Sequence, residues 1–279
     1  MVEDCSVAIN TPGGVPIFVG PGQPLLLIGG PCALEADEIA EKVASTMQEI
    51  CARLGISYVF KASFDKANRT SLDSYRGPGL SAGLATLGRI RHELKVPVVS
   101  DIHDITQVEA AAEVLDIIQI PAFLCRQTDL LTAAAATGKP VNVKKGQFVS
   151  PWDMENVVQK VRGAGGKKIM LVERGACFGY NNLVVDMRSL PVMRSFGCPV
   201  VFDATHSVQL PGGAGGASSG RREFISPLTR AAMAAGIDGL FMEIHPDPDK
   251  ALCDGPNSMP LDGVEELLVS LLKIRGAVC

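Results

Sequence analysis

Residues 96–145 read VPVVSDIHDITQVEAAAEVLDIIQIPAFLCRQTDLLTAAAATGKPVNVKK, and this stretch decides the fold. Within it, three short apolar or β-branched runs alternate with Ala- and Leu-rich segments, and the runs lie at 96–102, 117–121 and 141–145. Runs that are apolar on both faces are typical of a parallel sheet covered by helices. The stretch therefore predicts consecutive strand–helix units of an α/β protein.

The same unit repeats on both sides of this stretch. Two further strands are predicted before it and three after it, at 25–29, 57–62, 169–173, 200–204 and 239–244. Helices are predicted around them, at 35–54, 80–94, 105–114, 130–137, 152–162, 226–235 and 263–275. Eight strands in strict alternation with helices favour a closed barrel over an open doubly wound sheet, and a chain of 279 residues has a common length for one. We therefore expect a single (β/α)8 TIM barrel domain over 1–279.

Two segments lie outside this repeat. At 6–19, two β-like pieces flank the sequence PGG at 12–14, which predicts a short N-terminal β-hairpin extension within 1–20. The Gly-rich stretch at 211–220 follows the seventh predicted strand. Its composition is that of a flexible surface loop, whereas its position is that of a mobile active-site lid, so both interpretations stay open.

The composition narrows the class of protein. A net charge of −4 and a pI near 5.6 argue against non-specific nucleic-acid binding, which needs a basic surface. No apolar run reaches the roughly 18 residues that span a bilayer, and the acidic N-terminus does not resemble a secretory signal. The eight cysteines are scattered without a CxxC pair, so we expect reduced thiols in a cytoplasmic protein without membrane or nucleic-acid partners.

Reactive side chains follow the end of every predicted strand, and barrel enzymes place their active sites at this face. One subset is positively charged, and we refer to it as the cationic group: Lys61, Lys66, Arg69, Lys144 and Arg174. Buried cations are costly unless anions neutralise them, and Arg and Lys both bind phosphate and carboxylate. The group therefore indicates a substrate with several negative charges, or two phosphorylated substrates. The alternative is structural ion pairing with Asp65, Asp101 and Glu173.

A second subset at the same face has the chemistry of metal ligands, and we refer to it as the ligand set: Cys32, His206, Glu243 and Asp254. One thiolate, one imidazole and two carboxylates suit Zn²⁺, Fe²⁺ or Mn²⁺ and are too soft a combination for Mg²⁺. Taken singly, each residue has an ordinary structural explanation, such as a buried thiol or a salt-bridged acid. Their joint arrival at one barrel mouth predicts a divalent metal cofactor.

Long motifs along nearly the whole chain carry a family resemblance. They are KASFDKANRTS at 61–71, RGPG at 76–79, QIPAF at 119–123, RQTD at 126–129, NVKKGQFVSP at 142–151, RGACFGYNNLVVDMR at 174–188, FDATHSVQ at 202–209, GRR at 220–222 and HPDP with CDGP within 245–256. With these motifs the chain resembles the 3-deoxy-D-manno-octulosonate 8-phosphate synthases, also named 2-dehydro-3-deoxyphosphooctonate aldolases. The resemblance implies a (β/α)8 barrel, usually homotetrameric.

The resemblance also implies an activity. Members of the family condense phosphoenolpyruvate with D-arabinose 5-phosphate and water to give the octulosonate 8-phosphate and phosphate, on the route to Kdo and lipopolysaccharide. KANRTS favours this branch over the heptulosonate 7-phosphate synthases that use erythrose 4-phosphate, which typically show a shorter Lys-Pro-Arg-Thr-Ser signature. Cys32 and Gly146 resemble the metal-dependent class, because metal-independent members have Asn in place of the thiol.

Roles follow from the resemblance at matching positions. Residues expected to bind substrates or line their site are Lys61, Lys66, Asn68, Arg69, Thr70, Gln119, Ala122, Phe123, Lys144, Arg174 and Gln209. Asp101 and Gln209 are expected to orient sugar hydroxyls or metal-bound water. The catalytic residues implied are Lys61, Lys66, Asp101 and His206, acting by positioning and charge stabilisation. Two rival functions are a Schiff-base aldolase with Lys61 or Lys144 as nucleophile and a non-catalytic sugar-phosphate binding protein.

Overall fold

Eight parallel strands form the centre of the computed structural model, which describes residues 5–69, 71–213 and 219–278. In chain order the strands are β1 (Leu26–Gly30), β2 (Ser57–Lys61), β3 (Val98–Asp101), β4 (Ile117–Ile120), β5 (Val141–Lys144), β6 (Ile169–Glu173), β7 (Val200–Asp203) and β8 (Gly239–His245). Each strand pairs with the next in parallel, and β8 pairs with both β7 and β1. The sheet therefore closes on itself, and the predicted barrel is confirmed.

Helices follow the strands around the outside of the barrel. They are α1 (Asp37–Leu54), α2 (Leu80–Leu94), α3 (Val108–Val114), α4 (Thr128–Ala136), α5 (Met154–Gly163), α6 (Ser189–Arg194), α7 (Ile225–Ala234) and α8 (Val264–Val278). The sequence did not predict α6, because six residues with a proline at the third position give no helical periodicity. α1 ends at Leu54 and is capped by Gly55, whose φ of 67° lies in the left-handed region that glycine adopts with the least strain.

The predicted N-terminal hairpin is present. Val7–Ile9 pairs antiparallel with Ile17–Val19, and Val7 lies opposite Val19. The buried side chains of Val7, Ile9 and Val19 join the apolar cluster that fills the barrel interior, where they meet residues of β1 such as Leu26. Burial of these side chains closes the amino-terminal end of the barrel with hydrocarbon.

The opposite end of the interior is polar. Side chains that reach it from the strands are almost fully buried: Lys61, Asp101, Gln119, Asn142, Lys144, Glu173, Asp203 and Glu243. Buried polar and charged groups are tolerated only when they pair with one another or with a ligand. The fold therefore concentrates these groups at the carboxyl ends of the strands.

Two short antiparallel ladders extend this end of the barrel. After β6, Ala176–Cys177 pairs with Leu183–Val184, and after β7, Gln209–Leu210 pairs with Ser219–Gly220. Residues 214–218 of the Gly-rich stretch lie outside the described residues, so the choice between surface loop and lid stays a prediction. In the part of the chain that the structure describes, no helix combines the length and the apolar character needed to cross a bilayer.

Candidate active site

A cleft opens at the carboxyl ends of the barrel strands. Its volume of about 230 Å³ lies below that of pockets for drug-sized ligands, so it suits a small metabolite. Four members of the cationic group and two of the ligand set line it, namely Lys66, Arg69, Lys144, Arg174, His206 and Asp254. The two predicted groups of side chains therefore share one cleft.

Arg174 lines this cleft and has buried hydrogen-bond donors without a partner among the described residues. Its Nη2 donates to Gln209 Oε1 at 3.0 Å, whereas Nε and Nη1 are buried and have no partner among the described residues. Burial lowers the pKa of Arg174, although the carboxylates of Asp203 and Asp254 oppose that effect. A buried guanidinium with two unused N–H donors is matched by the oxygens of a carboxylate or phosphate.

Lys144 and Lys66 lie beside Arg174 in the lining of the cleft, and we refer to these three side chains as the cationic wall. Lys144 Nζ donates to Asp203 Oδ2 at 2.8 Å and lies 3.6 Å from the centre of the Phe241 ring. Lys66 Nζ lies 3.6 Å from Glu243 Oε1. Ion pairing does occur, but the partners of these lysines are Asp203 and Glu243, not the acids expected from the sequence. The guanidinium of Arg174 forms no ion pair with a described carboxylate, so its charge is available to an incoming anion.

Lys61 serves a different purpose from the other lysines. Its side chain is completely buried, and Nζ donates to the backbone carbonyl of Cys32 at 2.9 Å and to Glu243 Oε1 at 3.3 Å. The described lining of the cleft includes Lys66 and does not include Lys61. Lys61 therefore ties β2 to β1 and β8 beneath the cleft.

Asp101 lies at the floor of the cleft in a hydrogen-bonded network. Ser63 Oγ donates to one carboxylate oxygen at 2.8 Å, and Gln119 Nε2 donates to the other at 2.7 Å. Burial opposes ionisation of Asp101, but Lys61, Lys66 and Lys144 outweigh it and hold its pKa well below the usual range. The amide oxygen of Gln119 accepts from Asn142 Nδ2 at 2.8 Å, so Gln119 is occupied within the barrel.

The ligand set converges beside this cationic wall. His206 Nε2 lies 3.5 Å from Glu243 Oε1 and 3.8 Å from Asp254 Oδ2, and Cys32 Sγ lies 3.3 Å from Asp254 Oδ2. The ligand atoms of His206, Glu243 and Asp254 all lie within 4.8 Å of one another, as do those of Cys32, Cys253 and Asp254. Asp254 belongs to both groups, so a single carboxylate joins the thiols to the imidazole.

Asp203 fixes the orientation of His206. Its carboxylate lies 2.8 Å from His206 Nδ1 and also accepts from the backbone N–H of His206 at 2.9 Å. A carboxylate can only accept, so Nδ1 carries a proton, and Nε2 is the nitrogen that faces Glu243 and Asp254. Histidines that bind metals are typically held in this way by a carboxylate behind the ring.

The environment of Glu243 indicates whether these residues can bind a metal ion. Its Oε2 atom is buried and has no hydrogen-bond partner within the described residues. Burial opposes ionisation of Glu243, but His206, Lys61 and Lys66 outweigh it and hold the pKa below the usual value. An ionised carboxylate oxygen without a partner, beside an imidazole nitrogen and a thiol, fits a divalent ion of the Zn²⁺, Fe²⁺ or Mn²⁺ type.

A tight turn aims Asp254. Its φ of 50° lies in the left-handed region, which Asp tolerates better than most residues. Two neighbours hold the turn from outside: Arg222 Nη2 donates to the Gly255 carbonyl at 2.7 Å, and Glu35 Oε1 accepts from the backbone N–H of Leu252 at 2.8 Å. The turn is thereby attached both to the loop after β1 and to the segment after β7.

The profile of the DAHP synthetase I family matches residues 5–277. The chain belongs to this family.

Curated relatives in the family carry a more specific name. A protein of Desulfotalea psychrophila named 2-dehydro-3-deoxyphosphooctonate aldolase is 77% identical over 98% of this chain and 97% of its own length. Proteins with the same name from Syntrophotalea carbinolica and a Synechococcus species are 61% and 59% identical, over 94% and 98% of this chain and over 95% and 96% of their own lengths. The resemblance identified from the motifs is confirmed.

Within this DAHP synthetase I chain, the structure brings most of the predicted residues together. Besides the residues already described, the cleft is lined by Asn68, Ala122, Phe123 and Gln209. Arg69 Nη1 donates to Cys253 Sγ at 2.8 Å. Thr70 lies outside the described residues, so its role stays a prediction. Lys61 and Gln119 are the two that the structure places beneath the cleft.

Three residues of the site had no role assigned from the sequence, although Asp203 and His103 were among the reactive side chains at the strand ends. Asp203 orients His206, Cys253 Sγ lies 2.8 Å from Cys32 Sγ, and His103 lines the cleft with a buried Nδ1 that has no partner among the described residues. Only their positions in the chain could have pointed to these residues: Asp203 and His103 lie at or just after strand ends, and Cys253 precedes Asp254. Burial lowers the pKa of His103, although the nearby Asp101 opposes this effect. The lowered pKa favours the neutral imidazole.

Proposed function

We propose that the chain condenses phosphoenolpyruvate with D-arabinose 5-phosphate and water to give 3-deoxy-D-manno-octulosonate 8-phosphate and phosphate, in the biosynthesis of Kdo and lipopolysaccharide. The main support is the combination of a buried guanidinium with two unpartnered donor atoms, at Arg174, and a Cys–His–Glu–Asp set whose His206 and Asp254 line the same cleft. Relatives that are 59–77% identical over nearly the whole chain are named for this activity.

Phosphoenolpyruvate would bind at the cationic wall. Arg174 supplies a fixed positive charge with donors at Nε and Nη1 that no described residue uses, and Lys66 and Lys144 supply compact charges for the carboxylate and the phosphate. Ala122 and Phe123 would pack against the enol, and Asn68 and Arg69 would bind the sugar phosphate. The two polyanionic substrates would then neutralise charge that the protein leaves uncompensated.

The bond-forming sequence needs no covalent enzyme intermediate. The enol carbon attacks the aldehyde carbon, water adds to the neighbouring cationic carbon, and the tetrahedral species expels phosphate through C–O cleavage. The ionised Asp101 at the floor of the cleft would stabilise the positive carbon, while Arg174 and the lysines would stabilise the departing phosphate. Holding both substrates in contact supplies much of the remaining rate enhancement.

The ligand set would hold a divalent metal ion, which makes the chain a member of the metal-dependent class. Cys32, His206, Glu243 and Asp254 are the residues that would bind it. When bound, such an ion supplies Lewis-acid stabilisation of developing negative charge on oxygen. His206 and Asp254 also line the cleft, which supports an action of that stabilisation on bound substrates.

The defining assay follows both products. Purified protein is incubated with phosphoenolpyruvate and arabinose 5-phosphate in water enriched in ¹⁸O, and the sugar acid and the phosphate are analysed by mass spectrometry. We expect ¹⁸O in the sugar acid and none in the phosphate, because C–O cleavage transfers the water oxygen to carbon. Phosphate release that requires no arabinose 5-phosphate, or no release at all, would contradict the proposal.

Two rivals are separated by simple controls. A heptulosonate synthase would prefer erythrose 4-phosphate, so we expect a much lower kcat/KM with that aldose than with arabinose 5-phosphate. A Schiff-base aldolase would be trapped by borohydride on Lys61 or Lys144. Both ammonium groups are buried and paired with carboxylates, so we expect no adduct.

We further infer the state of the protein from the family resemblance. A single domain over 1–279, with the hairpin of 1–20 as its extension, would unfold in one cooperative transition. A homotetramer would have four times the 29.4 kDa mass of the chain in light scattering. The scattered thiols and a biosynthetic role with phosphorylated small molecules support a cytoplasmic location.

A further inference from the structure

The side chain of Gln209 connects the anion-binding cation to the ligand set. Its Oε1 accepts from Arg174 Nη2 at 3.0 Å, and its Nε2 donates to Asp254 Oδ1 at 3.4 Å. A guanidinium can only donate and a carboxylate can only accept, so these partners fix which way the amide points. Both ends of the amide are therefore committed to protein groups.

Arg174 depends on this contact for its direction. Among the described residues, Gln209 is the hydrogen-bond partner of its guanidinium, while Nε and Nη1 have none. On the other side, Asp254 divides its two oxygens between two tasks. Its Oδ1 faces Gln209, whereas Oδ2 lies 3.3 Å from Cys32 Sγ and 3.8 Å from His206 Nε2. One rigid carboxylate thus faces both the ligand set and the amide.

The backbone that carries Gln209 is fixed relative to Asp254. Gln209 pairs with Gly220 in the short ladder after β7. Gly220 packs directly on the turn that follows Asp254, because a Cβ at this position would overlap the amide oxygen of Asn257. The adjoining Arg222 holds the Gly255 carbonyl of the same turn. A rotation of the Asp254 carboxylate would therefore be transmitted to Gln209 through the hydrogen bond instead of being absorbed by backbone movement.

We propose that Gln209 is a positioning residue that couples occupancy of the metal site to affinity for phosphoenolpyruvate. This inference rests on the proposed function. A cation held by the ligand set would fix the Asp254 carboxylate, and through the amide of Gln209 it would hold the guanidinium of Arg174 in place at the cleft. The coupling is reciprocal, so phosphoenolpyruvate must tighten metal binding by the same factor.

This role differs from the one that the family resemblance implied for Gln209. A side chain that orients sugar hydroxyls has to offer a free donor or acceptor to the sugar. In this cleft the amide oxygen is used by Arg174 and an amide hydrogen by Asp254. One N–H and one oxygen lone pair of the amide remain beyond these two contacts, so Gln209 can act on the reaction through its two protein partners whether or not it also contacts the aldose.

The test is a binding cycle without turnover. Phosphoenolpyruvate is titrated by calorimetry, in the absence of any aldose, into chelator-stripped protein and into Mn²⁺-saturated protein. We expect wild type to bind it about fivefold more tightly or better when Mn²⁺ is present. In Gln209→Met, which keeps the side-chain length without the amide, we expect that ratio to fall to about twofold, because only direct charge attraction remains.

Two further variants make the result specific. Gln209→Glu still accepts from Arg174 but repels Asp254, so its ratio must also fall, and it covers the case in which the Met variant is unstable. Gln147→Met is the matched control, since Gln147 lines the same cleft and its amide oxygen has no partner within the described residues. Its affinity for phosphoenolpyruvate can change, but its ratio must stay at the wild-type value.

The outcomes separate this inference from the function on which it rests. Failure of wild type to bind phosphoenolpyruvate, with or without Mn²⁺, overturns the proposed function and the coupling together. A wild-type ratio near one, or a ratio in Gln209→Met equal to that of wild type while binding persists, overturns only the coupling. A reduced ratio in both Gln209 variants with an unchanged ratio in Gln147→Met supports it.

Discussion

The imidazole of His206 is held by Asp203, whose Oδ2 lies 2.8 Å from Nδ1. This contact directs the opposite nitrogen toward Glu243 and Asp254. We expect Asp203→Asn to weaken metal binding by about 10- to 100-fold, the usual cost of losing a carboxylate behind a metal-binding histidine. Competition with a chelating dye measures this. Asp101→Asn is the control, because Asp101 is an equally buried carboxylate that contacts Ser63 and Gln119 instead, and unchanged affinity in Asp203→Asn would contradict the prediction.

Replacing the thiol of Cys32 by the amide found in the metal-independent class tests the assignment of the class. We expect Cys32→Asn to purify with much less metal and to retain some activity that chelators no longer abolish. Elemental analysis and assays after chelation measure both effects. Cys253→Ser is the companion variant: it removes the neighbouring thiol, and we expect it to keep its metal. Wild-type metal content in Cys32→Asn would mean that Cys253 and Asp254 suffice.

Arg174 is expected to dominate the binding of phosphoenolpyruvate. Its two free N–H donors would each form a hydrogen bond to a charged oxygen, and such a bond contributes about 1.5–3 kcal/mol. Losing one such bond alone would raise the KM for phosphoenolpyruvate by about 10- to 150-fold. We expect at least this effect in Arg174→Ala. Arg188→Ala is the control, since Arg188 is exposed and paired with Asp186. A KM and a kcat that both match wild type in Arg174→Ala would exclude the role.

Two glycines of α2 should respond to alanine in opposite directions. A Cβ at Gly83 would overlap the Cβ of Phe64, so we expect Gly83→Ala to lower the free energy of unfolding by about 1–3 kcal/mol. At Gly88 the nearest atom is Val114 Cγ1, at 3.5 Å, so alanine fits. There we expect a gain of about 0.5–1 kcal/mol from helix propensity. Urea unfolding measures both, and a destabilised Gly88→Ala would show that the helix is packed differently.

Burial controls the reactivity of two cysteines. It raises the pKa of Cys51 to about 12 and that of Cys198 to about 11, whereas a thiol in the unfolded chain has a pKa near 9. A raised pKa means less thiolate, and at pH values below about 9 the reduction for Cys51 is about a thousandfold. At about pH 8 we therefore expect iodoacetamide to label the exposed Cys177 first, and Cys51 and Cys198 only after denaturation. Peptide mass spectrometry identifies the labelled sites, and rapid labelling of Cys51 in folded protein would refute this order.

The strands could be predicted because each is apolar on both faces, and that pattern specifies a parallel strand regardless of its neighbours. The sequence also indicated which side chains follow the strands. It could not indicate how deeply each side chain lies below the cleft. Lys61 and Lys66 were therefore predicted to act alike. The structure places Lys61 under Glu243 and places Lys66 in the cleft. The difference depends on which way each side chain leaves the backbone, a property of the closed barrel.

The contacts between side chains on different sides of the barrel also could not be predicted from the sequence. Asp203 and Lys144 lie 59 positions apart, and Gln209 and Asp254 lie 45 apart, so local pattern carries no information about their contacts. The ligand set was accessible because its chemistry is unusual and the family resemblance supplied its members. Cys253 was overlooked, since a lone thiol beside an acid has no pattern that separates it from an ordinary buried residue.

The hairpin at the amino-terminal end gives the barrel a single entrance. Because Val7, Ile9 and Val19 fill that end with hydrocarbon, polar molecules reach the interior of the described part of the molecule from one side, through the opening where the cleft lies. Substrates and products of any reaction in the cleft must then enter and leave through the same opening. Inorganic phosphate released at the cationic wall would compete with incoming phosphoenolpyruvate for the same site. Turnover would therefore slow as phosphate accumulates.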